Sequence, residues 1–340
     1  MARLAVITRC CALLLLTAAF ILSAGNSAQA QYTLTSLVTT TADPNLVNAW
    51  GMAYLTDGPF WISDEGTGKS TVYNSTGGIV PLVVAVPAVK AGAKGSPTGI
   101  VANSTSGFVV TQNGVSGASD FIFATLDGTI SGWNPSVNAT NAVIAVNNHA
   151  TANYTGLAIA TVGTKTFIYA ANQAKNQIEI YSSTFHLMKT FTDSALTGLT
   201  VYGVQAIGGR IYVTFSGTGG AVDIFTTTGT FIKTLTQNGT KGPLLEPWGL
   251  AQAPAKTFGK FSGDLLVGNV GNGRINAINL TTGKVAGTLK DASGKVIAVP
   301  GLWALLFGGG STANNGDTDQ LFFSAGTAGY ATGEFGVINP

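Results

Sequence analysis

Acidic and amide side chains recur at matching points of the sequence, and these residues have the most scope for chemistry. Asp64, Asn172 and Asn269 each end a short apolar run, in the phrases WISD, YAAN and LVGN. Glu65 follows the first of them, and Glu246 comes two residues before a tryptophan. Carboxylate and amide oxygens are the ligands that Ca²⁺ prefers in proteins. The pattern therefore predicts a polar ligand site and leaves open whether a calcium ion occupies it.

The same side chains have a simpler interpretation, which is turn capping. Asp and Asn side chains commonly accept hydrogen bonds from nearby backbone N–H groups and stabilise the turn into the next strand. Asn113, in the phrase VVTQN, joins the set on the same reasoning. Turn capping is the interpretation that the residue types favour. Calcium coordination by Asp64, Glu65 and Glu246, with amide side chains alongside, is the alternative.

Three tryptophans could contribute to ligand binding without catalysis. Trp50 and Trp248 occur in matching phrases, NAWGMAY and EPWGLAQ, and Trp303 lies in GLWALL. An exposed tryptophan ring can stack on a sugar ring or contact a peptide, because it offers a large apolar face with one polar atom. Packing of these rings inside the fold, between neighbouring repeat units, is the other interpretation and the favoured one.

Signals for nucleophilic or phosphate chemistry are weak. His149 lies in a loop-like segment and His186 in an outer, alternating segment, so a surface position is expected for both. No Gly-x-Ser-x-Gly elbow occurs, and the glycine-rich runs lack the Lys-Ser/Thr of a phosphate-binding loop. No catalytic residue is assigned. A non-catalytic protein that binds a glycan, peptide or protein through one face is the leading hypothesis, and a metal-dependent hydrolase or lactonase is the alternative.

The first thirty residues are predicted to be an export signal. Arg3 and Arg9 precede an apolar run over 10–22, and residues 28–30 (AQA) match the cleavage pattern of signal peptidase. We predict cleavage after Ala30 and a protein that is periplasmic or secreted, with no cysteine left for disulfides. The remaining chain has 15 basic and 15 acidic residues. That balance argues against binding to nucleic acid or an anionic membrane, and no later segment is apolar enough to span a bilayer.

The elements that would position these side chains repeat along the chain. A glycine-containing phrase recurs at six positions, which are Gly51, Gly99, Gly156, Gly203, Gly249 and Gly301. A period of 40–50 residues is typical of propeller blades. After each glycine come a short aromatic or β-branched run and two further alternating segments separated by turns. The repeat predicts one all-β domain over 31–340, a six-bladed β-propeller with four-stranded blades.

The two ends of the chain are predicted to close the ring. The last unit supplies three strands, ending near Ile338, and residues 32–38 can supply the fourth and cover its edge. The second unit is long: 108–111 is interpreted as its second strand, and 116–125 as an insertion that covers the channel mouth. In the sixth unit, 308–320 has the composition of a surface loop.

Four passages resemble a family of exported bacterial proteins built as NHL-like β-propellers, some with a Pro-Glu-Pro C-terminal sorting tail. They are DPNLVNAWGMAY (43–54), GPFWISDEGTGKSTVYNSTG (58–77), FIFATLDGTISGWNP (121–135) and GDLLVGNVGNGRINAINLTTG (263–283). The resemblance covers roughly residues 32–340 and implies an exported bacterial propeller without assigning an activity. Pro340 is the last residue and no sorting tail is present, so membrane retention by that route is not expected. More distantly, the unit resembles gluconolactonase-like propellers, which implies a divalent metal on the central axis.

Overall fold

A computed structural model describes residues 31–90 and 92–340; the predicted export signal in residues 1–30 lies outside this range. The described chain forms six four-stranded antiparallel sheets and one two-stranded hairpin, with no α-helix among these residues. The innermost strands of successive sheets contact one another in order, and the last contacts the first. The sheets are therefore blades of a ring, and the predicted six-bladed β-propeller is confirmed.

Each blade begins with its innermost strand, beside the channel, and its later strands lie progressively further out. The chain enters with β1 (Thr33–Thr39), which belongs to the last blade. Blade 1 contains β2 (Ala49–Ala53), β3 (Phe60–Asp64), β4 (Lys69–Tyr73) and β5 (Val84–Ala85). Blade 2 contains β6 (Pro97–Ala102), β9 (Phe121–Thr125), β10 (Thr129–Trp133) and β11 (Val143–Asn147), with β7 (Val109–Gln112) and β8 (Val115–Ala118) as a separate hairpin. Blade 3 contains β12 (Tyr154–Val162), β13 (Lys165–Asn172), β14 (Gln177–Ser182) and β15 (Leu187–Phe191).

The other three blades follow the same plan. Blade 4 contains β16 (Leu199–Ile207), β17 (Arg210–Gly217), β18 (Gly219–Thr226) and β19 (Phe231–Gly239). Blade 5 contains β20 (Pro247–Gln252), β21 (Leu265–Asn269), β22 (Ile275–Ile278) and β23 (Val285–Thr288). Blade 6 contains β24 (Leu302–Phe307), β25 (Leu321–Thr327) and β26 (Thr332–Asn339), with β1 outermost. Two short 3₁₀ turns, Gln173–Lys175 and Gly259–Phe261, lie in the connections, and no described helix could span a membrane.

The predicted closure of the ring by the chain ends is confirmed. Strand β1 pairs antiparallel with β26, from Thr33 opposite Asn339 onwards, so the N-terminal strand completes blade 6. The hydroxyl of Tyr32 donates to the backbone oxygen of Phe258 at 3.0 Å, which ties this strand to blade 5. The free edge of β26 is covered as a result.

The innermost strands approach one another closely around the channel. In blade 1, Ala49 pairs with Asp64, and the pairing then slips by one residue at a bulge before Met52. Gly51 lies within this bulge. In blade 6 the bulge lies between Leu302 and Leu305, so Ala304 occupies the position that Gly51 has in blade 1. The prediction that Gly301 is the sixth member of the glycine series is therefore wrong.

Blade 2 differs from its prediction in the place of its insertion. The second strand is β9, which contains Phe121, Ile122 and Phe123 and is fully buried. The inserted element is the β7–β8 hairpin, between the first and second strands, in which Val109 and Val115 are exposed. The assignment of 108–111 as the second strand and of 116–125 as a cover for the channel mouth is therefore wrong. The loop predicted at 308–320 does connect the first two strands of blade 6.

Apolar side chains of neighbouring blades pack together in the layers between the sheets. Between blades 6 and 1, the Phe60 ring centroid lies 4.4 Å from that of Phe322 and 5.3 Å from that of Phe335. All three rings are fully buried. Burial of a phenylalanine side chain contributes about 1.5–3 kcal/mol. Interblade layers of this kind hold the ring together. Other side chains occupy the central channel.

Candidate functional site

Three tryptophan rings fill one end of the central channel. Trp50, Trp248 and Trp303 occupy the same register position in blades 1, 5 and 6, one residue after the first pair of the innermost strand. The rings of Trp50 and Trp303 are stacked, and Trp248 packs edge-on to both at 6.0 and 5.8 Å between centroids. Their exposed fractions are 6%, 9% and 2%. We call these residues the tryptophan plug.

Hydrogen bonds fix the plug across the channel. Trp248 in blade 5 donates from Nε1 to the backbone oxygen of Thr155 in blade 3, at 2.7 Å. Trp303 donates from Nε1 to Oδ1 of Asn48 at 3.0 Å. The favoured expectation, packing between neighbouring blades, agrees with the structure: Trp50 and Trp248 are buried, and each packs against Trp303 of the neighbouring blade 6.

Polar and aromatic side chains surround the end of the channel that the plug closes. Asn48 donates from Nδ2 to Oε2 of Glu65 at 2.8 Å, and its Oδ1 accepts from Trp303 in the plug. The Trp303 ring also contacts Tyr202 and Tyr330, at centroid distances of 6.0 and 5.9 Å. We call this region the plugged mouth. It is formed by Asn48, Glu65, Tyr202, Glu246 and Tyr330.

The charge of Glu246 contributes to the raised pKa values of two tyrosines at the plugged mouth. Burial, and then the negative charge of Glu246, raises the pKa of Tyr202 above its usual range, and the same causes raise the pKa of Tyr330. Both phenols therefore keep their protons at neutral pH and can donate hydrogen bonds. Glu246 is exposed, and Tyr330 is 44% exposed. The mouth thus offers an accessible aromatic ring beside carboxylate acceptors and hydroxyl donors.

The opposite end of the channel opens as an apolar funnel. Its cavity of about 280 Å³ has side chains from five blades on its walls. The funnel is lined by Met52, Tyr54, Ile100, Ile159, Gln205 and Leu306, among others. Gln205 contributes a side-chain amide, whereas the Tyr54 hydroxyl already donates to the backbone oxygen of Phe307 at 2.8 Å. The channel therefore has two chemically different ends.

Two predicted site residues, Asn172 and Asn269, form turn hydrogen bonds within their own blades. Oδ1 of Asn172 accepts from the backbone N–H of Lys175, and its Nδ2 donates to Glu179 at 2.8 Å. Oδ1 of Asn269 accepts from the N–H of Leu245, and its Nδ2 donates to the backbone oxygen of Arg274. Both side chains are fully buried. These are the contacts expected from turn capping.

Asn113 lies far from the position assigned to it. It is exposed at the tip of the β7–β8 hairpin, where its φ of 51° helps to make the turn. The residue that ends the second strand of blade 2, and so matches Asp64 and Asn172, is Thr125. The equivalence proposed for Asn113 is therefore wrong.

Asp64 is fully buried in the layer between blades 6 and 1. Within the described chain no group hydrogen-bonds to either of its carboxylate oxygens. Burial raises the pKa of Asp64 well above its usual range; the neighbouring Thr71 hydroxyl lowers it in part, and the charge of Asp43 raises it further. Asp64 therefore lies in the interblade layer. Glu65, the next residue in sequence, instead faces the plugged mouth, where Asn48 donates to it.

The residues do not fit the axial calcium ion that was considered from the sequence. Among residues 31–90 and 92–340, no three His, Cys, Asp or Glu side chains lie close enough together to hold a metal ion. Asp64, Glu65 and Glu246 therefore do not form a common ligand set. Calcium binding on the axis stays a prediction, without support from the arrangement of these carboxylates.

Sequence reasoning missed three residues of the plugged mouth. Tyr202 occupies the register position of Trp50 and Trp248, and the repeated phrase could have identified it. Asn48 is the first residue of the same phrase in blade 1. Tyr330 lies in the turn between the last two strands with a φ of 71°, and no repeat marks it.

Comparison with known proteins supports the fold and leaves the activity open. No family model matches the chain. An uncharacterised protein of Acanthamoeba polyphaga mimivirus is 28% identical over 306 residues, covering 83% of this chain and 72% of the relative. The solved structure of an aldose sugar dehydrogenase from Streptomyces coelicolor matches with a TM-score of 0.55 and 13% identity, over 92% of this chain and 99% of that one. A virginiamycin B lyase from Staphylococcus aureus matches with a TM-score of 0.53 and 12% identity, over 91% and 100%.

Proposed function

We propose that the protein is an exported, non-catalytic binding protein that takes a glycan at the plugged mouth. The observation that supports this most is the exposed ring of Tyr330 beside Trp303, on the face where Glu246 and Glu65 present carboxylates. The plug closes the channel behind this face, so a ligand would bind on its surface. Five of the nine predicted site residues belong to the plug or the mouth, which are Trp50, Glu65, Glu246, Trp248 and Trp303.

The chemistry of the mouth suits a ligand with many hydroxyl groups. The apolar face of a sugar ring can pack on Tyr330, and an aromatic contact of this size contributes about 0.5–1.5 kcal/mol. Sugar hydroxyls can donate to Glu246, and a hydrogen bond to a charged group contributes about 1.5–3 kcal/mol. A rigid ring of blades loses little conformational entropy on binding, which favours a preformed site of this kind.

A glycan array followed by calorimetric titration of the best ligand tests the proposal. Tyr330→Ala should weaken binding up to about tenfold and Glu246→Gln about tenfold or more. Phe231→Ala is the matched control, because Phe231 is 47% exposed on the outer strand of blade 4, far from the mouth in the fold. Binding that survives both mouth substitutions, or that fails equally in the control, would contradict the proposal.

The funnel supports a second candidate, which is binding of an apolar side chain of a peptide or protein. Its cavity and its aliphatic lining favour this ligand class, since pockets of that composition bind by burying apolar surface. Leu306→Arg would place a charge in the funnel and should abolish peptide binding while leaving glycan binding intact. The opposite pattern, loss with Tyr330→Ala alone, would favour the mouth.

The hydrolase alternative has its own test. The dehydrogenase and the lyase are both enzymes, but identities of 12–13% extend to the fold alone. Turnover of a lactone or ester that requires a divalent metal, and that Glu246→Gln abolishes, would establish catalysis and overturn the binding-protein proposal. Export is tested separately: the protein recovered from the periplasm or the medium should begin at Gln31.

A further inference from the structure

The chain contains four Asn–Gly steps, at which a spontaneous covalent reaction can modify the protein. They are Asn113–Gly114, Asn238–Gly239, Asn272–Gly273 and Asn315–Gly316. In this reaction the backbone nitrogen of the glycine attacks Cγ of the asparagine side chain. A glycine favours the attack because it has no Cβ to hinder the nitrogen, and asparagine is a thermolabile residue. The four sequences are chemically alike at the reacting atoms, so the structure decides which step reacts in the native protein.

Both reacting groups of the Asn315 step are held by hydrogen bonds. The Asn315 side chain is 0% exposed. Its Oδ1 accepts from the backbone N–H of Ser311, and its Nδ2 donates to the backbone oxygen of Gly58, each at 3.0 Å. The N–H of Gly316 donates to the backbone oxygen of Ser311 at 2.8 Å. Reaction at this step therefore requires a buried loop to open.

The steps at Asn238 and Asn272 are also held. Nδ2 of Asn238 donates to the backbone oxygen of Leu244 at 3.0 Å, and its Oδ1 accepts from the N–H of the same residue at 2.9 Å. Oδ1 of Asn272 accepts from the backbone N–H two residues further on, at 3.0 Å. The attacking N–H of Gly273 donates to the backbone oxygen of Asn269 at 2.8 Å. These bonds must break before either step can react.

The Asn113 step has none of this protection. Asn113 and Gly114 form the two-residue turn of the β7–β8 hairpin, between the paired residues Gln112 and Val115. Both turn residues are exposed, and a Cβ added at Gly114 would have no described atom within 4 Å. In the described part of the chain, no group hydrogen-bonds to the Asn113 side chain or to the N–H of Gly114. Both reacting groups are therefore free in the folded protein.

Only a local opening separates this turn from reaction. The φ values of Asn113 and Gly114 are 51° and 81°, and closing the ring requires Asn113 to leave this left-handed conformation. The hairpin is a separate two-stranded sheet, and such a sheet is only marginally stable by itself. Near its tip, Nδ2 of Asn138 donates to Oε1 of Gln112 at 2.8 Å, which ties the hairpin to blade 2. Opening an exposed tip costs less free energy than opening a buried loop.

We propose that Asn113 is the site at which the native protein deamidates. The bond from the Gly114 nitrogen to Cγ of Asn113 forms, the bond from Cγ to Nδ2 breaks, and the glycine N–H proton leaves with the amide as ammonia. Water then opens the cyclic imide at one of its two carbonyls and gives aspartate or isoaspartate. Either product adds a negative charge to the hairpin tip. Isoaspartate also lengthens the backbone by one atom, which a two-residue turn does not accommodate.

Peptide mass spectrometry of the purified full chain tests the proposal. The protein is incubated at mildly alkaline pH, where the attacking nitrogen loses its proton more readily, and conversion is followed at all four steps. Asn113 should convert at least about tenfold faster than Asn238, Asn272 and Asn315, the ratio given by a difference of about 1.4 kcal/mol in opening free energy. The same incubation in denaturant is the control, since all four steps should then convert at similar rates.

Gln112→Ala tests whether opening of the tip limits the reaction. This substitution removes the hydrogen bond from Asn138, which contributes about 0.5–1.5 kcal/mol, so conversion at Asn113 should be about 2–10 times faster. Conversion at the other three steps should not change, because they lie in other blades. An unchanged rate at Asn113 would contradict the opening step.

Two further results would overturn the inference. One is a native protein in which Asn113 converts no faster than Asn238 or Asn272, which would mean that the hydrogen bonds at those steps give no protection. The other is a native protein in which no step converts while all four convert in denaturant, which would mean that the hairpin turn itself protects Asn113.

Discussion

Nε1 of Trp248 in blade 5 donates to the backbone oxygen of Thr155 in blade 3 at 2.7 Å. The two blades are not neighbours, so this hydrogen bond spans the channel. It joins two non-adjacent blades through one side chain, and Trp50 and Trp303 pack against that side chain. The plug therefore stabilises the ring in addition to closing one of its ends.

Trp248→Phe should destabilise the protein by removing this hydrogen bond. An aromatic ring remains, but the Thr155 oxygen loses its donor while buried, and an unsatisfied buried acceptor costs about 1–3 kcal/mol. Denaturant unfolding followed by circular dichroism measures the change. Trp133→Phe is the control, since Nε1 of buried Trp133 has no hydrogen-bond partner in the described residues. Equal losses for the two variants would mean that the cross-channel bond contributes nothing.

Glu179→Gln should destabilise the protein at neutral pH and flatten its response to acid. Burial alone would raise the pKa of Glu179, but donation from Tyr181, Tyr154, Asn172 and Gln177 outweighs burial and lowers it. The stabilisation is therefore present above the unfolded pKa of about 4.3 and is lost as the pH falls through the folded value. In the variant, an amide N–H₂ group faces donors, at a cost of about 1–3 kcal/mol.

Thermal melts of the two proteins from about pH 3 to about pH 7 measure this effect, since that range extends to both sides of the unfolded pKa of about 4.3. The melting temperature of the wild type should fall in the acid part of the range more steeply than that of the variant. Parallel curves would show that the carboxylate of Glu179 does not contribute through its charge.

Asp64→Asn should show the opposite pH dependence. Because burial raises the pKa of Asp64 above its unfolded value, the folded state binds the proton more tightly. Its stabilisation is complete below the unfolded pKa of about 3.9 and is lost as the pH rises towards the folded pKa. The Asn variant has no proton to lose, so it should match the wild type in acid and melt at a higher temperature at neutral pH. A variant that melts lower at both pH values would contradict this account.

The repeat was visible in the sequence because each blade needs the same close approach at its first strand and the same apolar second strand. Blade 2 is harder to predict because it holds two β-branched or aromatic runs, at 108–111 and at 121–125. The run that is buried throughout and ends in a polar residue, FIFAT, is the blade strand; in the other, buried and exposed residues alternate, as expected of a hairpin on the surface. Continuous apolarity, rather than the position of the first run, was the better guide.

The direction of the tryptophans could not be predicted from periodicity. In a regular strand Trp50 and Met52 would face the same side, because side chains alternate with a period of two. The bulge between Ala49 and Met52 breaks this alternation, so the side that Trp50 faces does not follow from the pattern. A bulge has no sequence signature beyond Gly51.

Gly51→Ala should destabilise the protein, because the added methyl group has no room between blades 1 and 2. A Cβ at this position would lie 2.6 Å from the backbone oxygen of Thr98 and 2.9 Å from the backbone nitrogen of Ile100. Both atoms belong to the innermost strand of the next blade and cannot rotate away, so the blades must separate. Overpacking of this kind costs about 1–3 kcal/mol. Gly239→Ala is the control, since no described atom outside its chain neighbours lies within 4 Å of its added Cβ and its φ is not positive. Denaturant unfolding should place this control within about 1 kcal/mol of the wild type or above it; a Gly51→Ala protein as stable as the control would show that the blades can move apart without loss.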